Sequence, residues 1–189
     1  MFNSNYSIIE QGFAAQYQAN VTVYSHNITK AKIVYIDNKD TNCLFAAVFK
    51  TPSWGHKGVA HILEHSVLCG SAKYPHKELF GEVVKTSVAT FINAMTFPDK
   101  TMYPVTSNNQ KDFYNLQSVY LDSVFAPQVM GENGQKIFEQ EGHHLEFDNQ
   151  GKLIRKGVVY NEMKGAYSTC DRWLLDAYNA RLYPDTCYS

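Results

Sequence analysis

No stretch of this 189-residue sequence is apolar for long enough to form a membrane-spanning helix, which needs about 20 such residues, so no membrane partner is expected. Nor is there a surplus of basic charge. Seventeen Lys and Arg stand against 18 Asp and Glu, a formal net charge of −1, and no positive field points to nucleic acid. The four cysteines (Cys43, Cys69, Cys170 and Cys187) make no C-x-x-C pair and are irregularly spaced, so they read as reduced thiols rather than a disulfide framework. That favours the cytoplasm or another reducing compartment. Glu10 precedes the first basic residue, Lys30, so neither an Arg-rich, acidic-poor transit peptide nor a signal peptide with a charged start is visible. Repeats, low-complexity tracts and linkers are missing too. What remains, 44% hydrophobic and 19% charged residues, is the composition of a soluble globular protein able to bury one sizeable core.

Against this plain background one pentapeptide stands out, His61-Ile62-Leu63-Glu64-His65. Histidines four apart share a helix face, close enough for both imidazoles to grip one metal ion. Glu64 precedes the second histidine and projects beside the metal, where a general base takes a proton from zinc-bound water. H-x-x-E-H is the inverted order of the zinc-protease helix motif. Gly55 and Gly58 punctuate the chain before it, and Gly70 stands where a helix would end in a left-handed cap. Val59, Ile62, Leu63, Ser66 and Val67 recur at helical spacing, so one face is expected to be buried while the His-Glu-His face looks elsewhere. The plainer alternative is a surface helix with two solvated histidines.

A catalytic zinc takes three protein ligands and one open position. Glu162, in Gly157-Val158-Val159-Tyr160-Asn161-Glu162-Met163-Lys164-Gly165, and the pair Glu139 and Glu141, in Phe138-Glu139-Gln140-Glu141-Gly142, compete for the third place. From the residues alone the choice stays open, and a solvated carboxylate is the bland reading of all three. His56 could line the site from its glycine-flanked loop, although an exposed loop histidine is the commoner case. His76 reads as a solvated loop residue. His143 and His144 are adjacent, so in a strand they face opposite ways and cannot readily chelate one ion together.

The coarse pattern is α+β. Val21–Tyr24, Ala31–Ile36 and Cys43–Lys50 read as strands, with Asp37–Asp40 as the turn between the last two. Phe91–Phe97 and Thr101–Thr106 read as a hairpin around Pro98-Asp99-Lys100. Lys111–Phe125 carries Phe113, Leu116, Val119, Tyr120 and Val124 at helical spacing, a core stripe rather than a cofactor box, with Pro127 beyond its end. His143–Phe147 reads as a strand followed by the turn Asp148–Gly151, and Val158–Thr169 and Arg172–Leu182 as helices.

The segment Gly58-Val59-Ala60-His61-Ile62-Leu63-Glu64-His65-Ser66-Val67-Leu68-Cys69-Gly70-Ser71 resembles the active-site segment of the presequence protease branch of the pitrilysin/insulinase family, which includes the falcilysin-like oligopeptidases. The likeness continues, in order, through Lys73-Tyr74-Pro75, Thr90-Phe91-Ile92-Asn93-Ala94-Met95-Thr96, Tyr103-Pro104, Asp112-Phe113-Tyr114-Asn115-Leu116, Val119-Tyr120-Leu121-Asp122, Phe138-Glu139-Gln140-Glu141-Gly142 and Lys156 to Gly165. It covers most of the chain from about Ile33 onward. The resemblance implies a two-layer α+β domain in which helices pack a mostly antiparallel sheet. It implies zinc held by His61, His65 and Glu162, with Glu64 as the base in hydrolysis of short unfolded peptides. It also implies an edge strand at Phe91–Thr96 whose Asn93 and Ala94 contact the backbone of an extended peptide substrate. Where insulin-degrading relatives place a supporting glutamate, two helical turns before the third ligand, this chain has Arg155, so that support cannot be assigned.

S-ribosylhomocysteinases also carry an inverted H-x-x-E-H, but their third ligand is a Cys followed by Gly and His, and no cysteine here is followed by Gly-His. Members of the resembled branch are about five times longer and have four related domains in two halves around a chamber. The resemblance thus makes residues 1–189 the N-terminal part of the first, zinc-binding peptidase domain, incomplete at its C-terminal end. The missing C-terminal half is an expected partner, and a mitochondrial setting an alternative to the cytoplasm. Two other readings follow: a zinc-binding but inactive fragment, and a non-catalytic partner subunit. The second sits poorly with a motif that has kept His61, Glu64, His65 and Glu162.

Overall fold

The computed structural model of the chain describes residues 4–52, 55 and 57–189. Its contacts divide it into two compact units, one up to Thr41 and one from Asn42 onward. The first is an antiparallel sheet in the order β1 (Tyr6–Ala14), β2 (Ala19–His26) and β3 (Lys32–Asp37). A register shift between Ile8 and Glu10 breaks the alternation of β1, and this irregularity hides the strand from a period-two reading of the sequence. Asp37–Asp40 does not close a hairpin, because β3 and the next strand belong to different sheets.

In the second unit β7 (Lys100–Ser107) is the central strand. On one side it pairs along its length with β4 (Cys43–Lys50); on the other it pairs with two short strands, β5 (Phe91–Ile92) and β6 (Met95–Thr96). The expected hairpin therefore exists, but its first strand is interrupted at Asn93 and Ala94. The turn is closed by Phe97 N–H donating to the Lys100 carbonyl (2.8 Å). All strand pairings are antiparallel, as the α+β expectation requires.

Six helices accompany the sheets among the described residues. They are α1 (Val59–Val67), α2 (Leu79–Thr86), α3 (Gln110–Phe125), α4 (Gly134–Glu141), α5 (Val158–Ala166) and α6 (Cys170–Leu182), with the hairpin β8 (His144–Phe147) and β9 (Leu153–Lys156) between α4 and α5. The start of α3 is set by Asn109, whose side chain accepts from Asp112 N–H (3.1 Å), an arrangement worth about 1 kcal/mol. Leu116 and Tyr120 of α3 pack with Tyr103 and Val105 of β7 and with Leu68, just past α1, as the buried core. Fully burying a side chain of this size contributes about 1.5–3 kcal/mol, so this cluster ties α1 and α3 to one strand.

Helix α1 keeps only part of its expected burial. Ser66 is buried and Ile62 and Val67 are partly buried as expected, but Val59 and Leu63 are exposed. A second inward stripe is the motif itself, His61, Glu64 and His65, continued by Leu68 at the next helical step. It can face inward because α4, α5 and the β6 edge supply partners for its polar atoms.

Candidate metal centre

Glu64 is almost wholly buried, and its Oε2 accepts a 2.6 Å hydrogen bond from Thr96 Oγ1 on β6. That bond meets the requirement that a buried carboxylate be hydrogen-bonded. Burial and, to a lesser extent, the nearby Glu64 charge push the Tyr103 hydroxyl above its ordinary range, so it stays protonated. His61, one turn before Glu64, and His65, the residue after it, meet edge-on with ring centroids 5.0 Å apart.

Helix α5 supplies Glu162, which reaches both rings. Its Oε1 lies 3.5 Å from His61 Nε2 and its Oε2 3.4 Å from His65 Nε2. The candidate donor atoms of the three residues all lie within 4.8 Å of one another. Four-coordinate zinc with bonds of about 2.0–2.1 Å separates its ligands by about 3.3 Å, so two imidazole nitrogens and a carboxylate at these distances fit such an ion with little movement. His61 and His65 are each about a fifth exposed, while Glu162 is half exposed, so the cluster opens to solvent on the α5 side.

The competing carboxylates go separate ways. Glu139 is exposed on α4 and accepts from Gln135 Nε2 (2.8 Å), away from the histidines. Glu141 is buried, and its Oε2 lies 3.4 Å from Nδ1 of His65, on the side of the ring opposite Glu162. The hydrogen bond that His65 donates to Glu141 is the main reason that His65 holds a proton more tightly than an ordinary imidazole, against the opposing effect of burial. Burial pushes the Glu141 carboxyl up, but hydrogen bonds from His65 and Cys69, with the His65 charge, carry it below the usual carboxylate range. Burial, and then the Glu141 charge, push the Cys69 thiol up to about 12.

The remaining candidates lie elsewhere. Asn93 N–H donates to the Pro104 carbonyl (3.2 Å), its own carbonyl accepts from Tyr120 OH (3.2 Å), and its Oδ1 accepts from Ala94 N–H (2.9 Å). These bonds fix the interruption between β5 and β6 at the sheet edge. They also turn the main chain of Asn93 inward, leaving less of it for a docked peptide than the sequence suggested. His143 sits edge-on to Tyr160, and His144 pairs with Glu146 (3.3 Å). His76 is exposed, and Arg155 lies over the Tyr160 ring. His56 lies outside the described residues. Thr96 and the contact of Glu141 with Nδ1 were missed in the sequence, because neither has a spacing relation to the motif.

The profile of Insulinase (Peptidase family M16) matches residues 52–148, just over half of the chain. The chain belongs to the insulinase family. Within the family it is 52% identical over 167 residues to Protein HypA of Clostridium perfringens (strain 13 / Type A), a match covering 88% of the chain and 17% of that protein. It is 45% identical over 181 residues to presequence protease 1, chloroplastic/mitochondrial, of Arabidopsis thaliana (95% and 17%). To the mitochondrial presequence protease of Mus musculus it is 44% identical over 169 residues (87% and 16%). The crystal structure of pitrilysin shares the fold, with a TM-score of 0.58 at 18% identity, over 71% of this chain and 15% of that one. The chain therefore spans about one-sixth of the length of the curated insulinase-family relatives it matches. No helix among the described residues is long and apolar enough to cross a membrane.

Proposed function

We propose that this insulinase-family chain is the N-terminal, zinc-binding part of the first peptidase domain of an endopeptidase that hydrolyses short unfolded peptides. The observation that carries the reading is the convergence of His61 Nε2, His65 Nε2 and the Glu162 carboxylate from two helices, beside the buried Glu64. His61, His65 and Glu162 would hold the ion. Three carboxylates (Glu64, Glu141 and Glu162) surround two imidazoles, and His61 and His65 make ion pairs, among the described residues, with Glu141 and Glu162 alone, a field that favours a divalent cation. Zinc, when bound, lowers the pKa of water towards about 7 and polarises a carbonyl.

The residues of the chain do the rest. Thr96 fixes one Glu64 oxygen and leaves the other to take a proton from the attacking water. As the new C–O bond forms and the C–N bond breaks, Glu64 passes that proton to the leaving amine. Asn93 and Ala94 mark the edge where an extended peptide would lie against the sheet, through Ala94 and the Asn93 side chain more than through the inward-turned Asn93 main chain. The relatives named as mitochondrial or chloroplastic/mitochondrial support an organellar setting as the alternative to the cytoplasm.

A second reading keeps the zinc but makes turnover depend on further polypeptide. Trp173, Leu174, Leu175, Tyr178 and Leu182 of α6 are all exposed, an apolar surface suited to burial against another segment. The test is zinc content and peptide turnover of the chain, alone and mixed with polypeptide supplying the remaining length of its relatives. Zinc should bind with a stoichiometry of about one, and Glu64→Gln should lower turnover by about 10²–10⁴-fold while zinc stays bound. Undiminished turnover in Glu64→Gln removes Glu64 as the base. Zinc bound by the chain, with turnover only in the mixture, selects the second reading.

A further inference from the structure

We propose that Glu141 is the positioning residue of the metal centre: its carboxylate takes the Nδ1–H of His65, so that the ring presents the lone pair of Nε2 towards His61 and Glu162. The inference rests on the metal-centre reading above and adds to it a residue from a third element, α4. A neutral imidazole has one N–H donor and one acceptor, and which nitrogen carries the proton depends on what each faces. Here both nitrogens face carboxylates, Nδ1 facing Glu141 Oε2 and Nε2 facing Glu162 Oε2, each at 3.4 Å. Nε2 can serve a cation shared with Glu162 only if the proton sits on Nδ1, the nitrogen facing Glu141.

Glu141 is held for this task from its other oxygen. Its Oε1 accepts from Cys69 Sγ–H (3.4 Å) and from Gln140 Nε2 (3.2 Å), leaving Oε2 directed at the ring. Glu141 is only 6% exposed, and His65 is its one ion-pair partner among the described residues. A buried carboxylate without Lys or Arg is costly to keep, and the one cationic partner it has here is a single ring nitrogen, that of His65. The separation is also fixed by the backbone. Gly142 ends α4 so close to α1 that an added Cβ would stand 3.3 Å from Ile62 Cδ1 and 2.9 Å from the Phe138 carbonyl oxygen. Glu64 does not supply this hydrogen bond, because its Oε2 is engaged with Thr96 Oγ1.

The experiment uses the 189-residue chain with zinc alone as probe, its affinity read by competition with a chelator, together with ¹⁵N spectra of His65 in the metal-free protein with its imidazoles neutral. The wild-type spectrum should show the proton on Nδ1. Glu141→Leu should move it to Nε2 and weaken zinc binding by about 10–100-fold. Glu141→Gln, which keeps an accepting oxygen and the volume, should fall between, and covers the case in which the Leu variant does not fold. A wild-type proton on Nε2, or unchanged zinc affinity in both variants, overturns the proposal. Absence of zinc binding in the wild type, with His61→Ala no worse, would instead refute the metal reading, and the spectrum would still decide the role of Glu141.

Discussion

Helices α1 and α5 bring three potential metal donors to one point, but they are held in opposite ways. Helix α1 packs on β6, β7, α4 and α5, buries Glu64 and Ser66, and runs into the core residue Leu68. Helix α5 buries Val159 alone and leaves Glu162 half exposed. Its position is set at its first step, where Gly157 passes so close to the end of α4 that an added Cβ would lie 2.0 Å from the Gly142 carbonyl oxygen. Two of the donors are thus placed by side-chain packing and the third by contact between two glycine backbones. A site can be rigid on one side and adjustable on the other while all its donors remain within reach.

The sharpest test of this contrast uses the cysteine beyond each helix. Cys69 lies just past α1, partly buried, with its thiol pushed up to about 12, while Cys170, beyond α5, is exposed. A raised pKa means less thiolate at any pH below it, about 10⁻⁴ of the Cys69 population at pH 8. Alkylation at pH 8 followed by mass spectrometry should modify Cys170 and spare Cys69, whose rate should rise about tenfold per pH unit until near 12. Equal rates at pH 8 would mean that α1 is not gripped. Next in size, Leu68→Ala should lower stability by about 2–5 kcal/mol in urea unfolding, because it opens the core that anchors α1. Gly157→Ala should remove about 1–3 kcal/mol and weaken zinc binding together, since α5 must shift to admit the methyl group. Zinc affinity unchanged in Gly157→Ala would show that α5 is located by something else. Smallest in stability is Glu162→Gln, within about 0.5 kcal/mol of wild type, since the side chain is half in water. Zinc should nevertheless be largely lost, and a variant that keeps full affinity removes Glu162 from the ligand set.

Where side-chain period and burial agree, the sequence was readable. Strand β4 was expected at the residues where it lies, and α3 announced itself through Leu116, Val119 and Tyr120. Elements without such agreement were invisible. Helices α2 and α4 have no side-chain cap, α4 begins on a glycine, and β1 carries a register shift. Within the site, His61, Glu64 and His65 were legible because one helix fixes their spacing, whereas the choice between Glu162 and Glu141 depends on how α4 and α5 meet α1. No local pattern encodes that meeting, and both carboxylates turn out to face His65 from its two sides. The expected buried face of α1 held at Ser66 and in part at Ile62 and Val67 but not at Val59 and Leu63, for a related reason: polar partners on β6 and α4 let the motif residues turn inward as well.

The interruption of the sheet edge at Asn93 and Ala94 bears on solubility. An unbroken edge strand offers a row of unpaired amides and carbonyls on which another copy of the protein can grow a sheet. Here the β5 and β6 edge consists of two-residue strands on either side of a knot of internal hydrogen bonds, so it offers a far poorer template for a long foreign strand than the unbroken eight-residue β4 on the opposite side of β7.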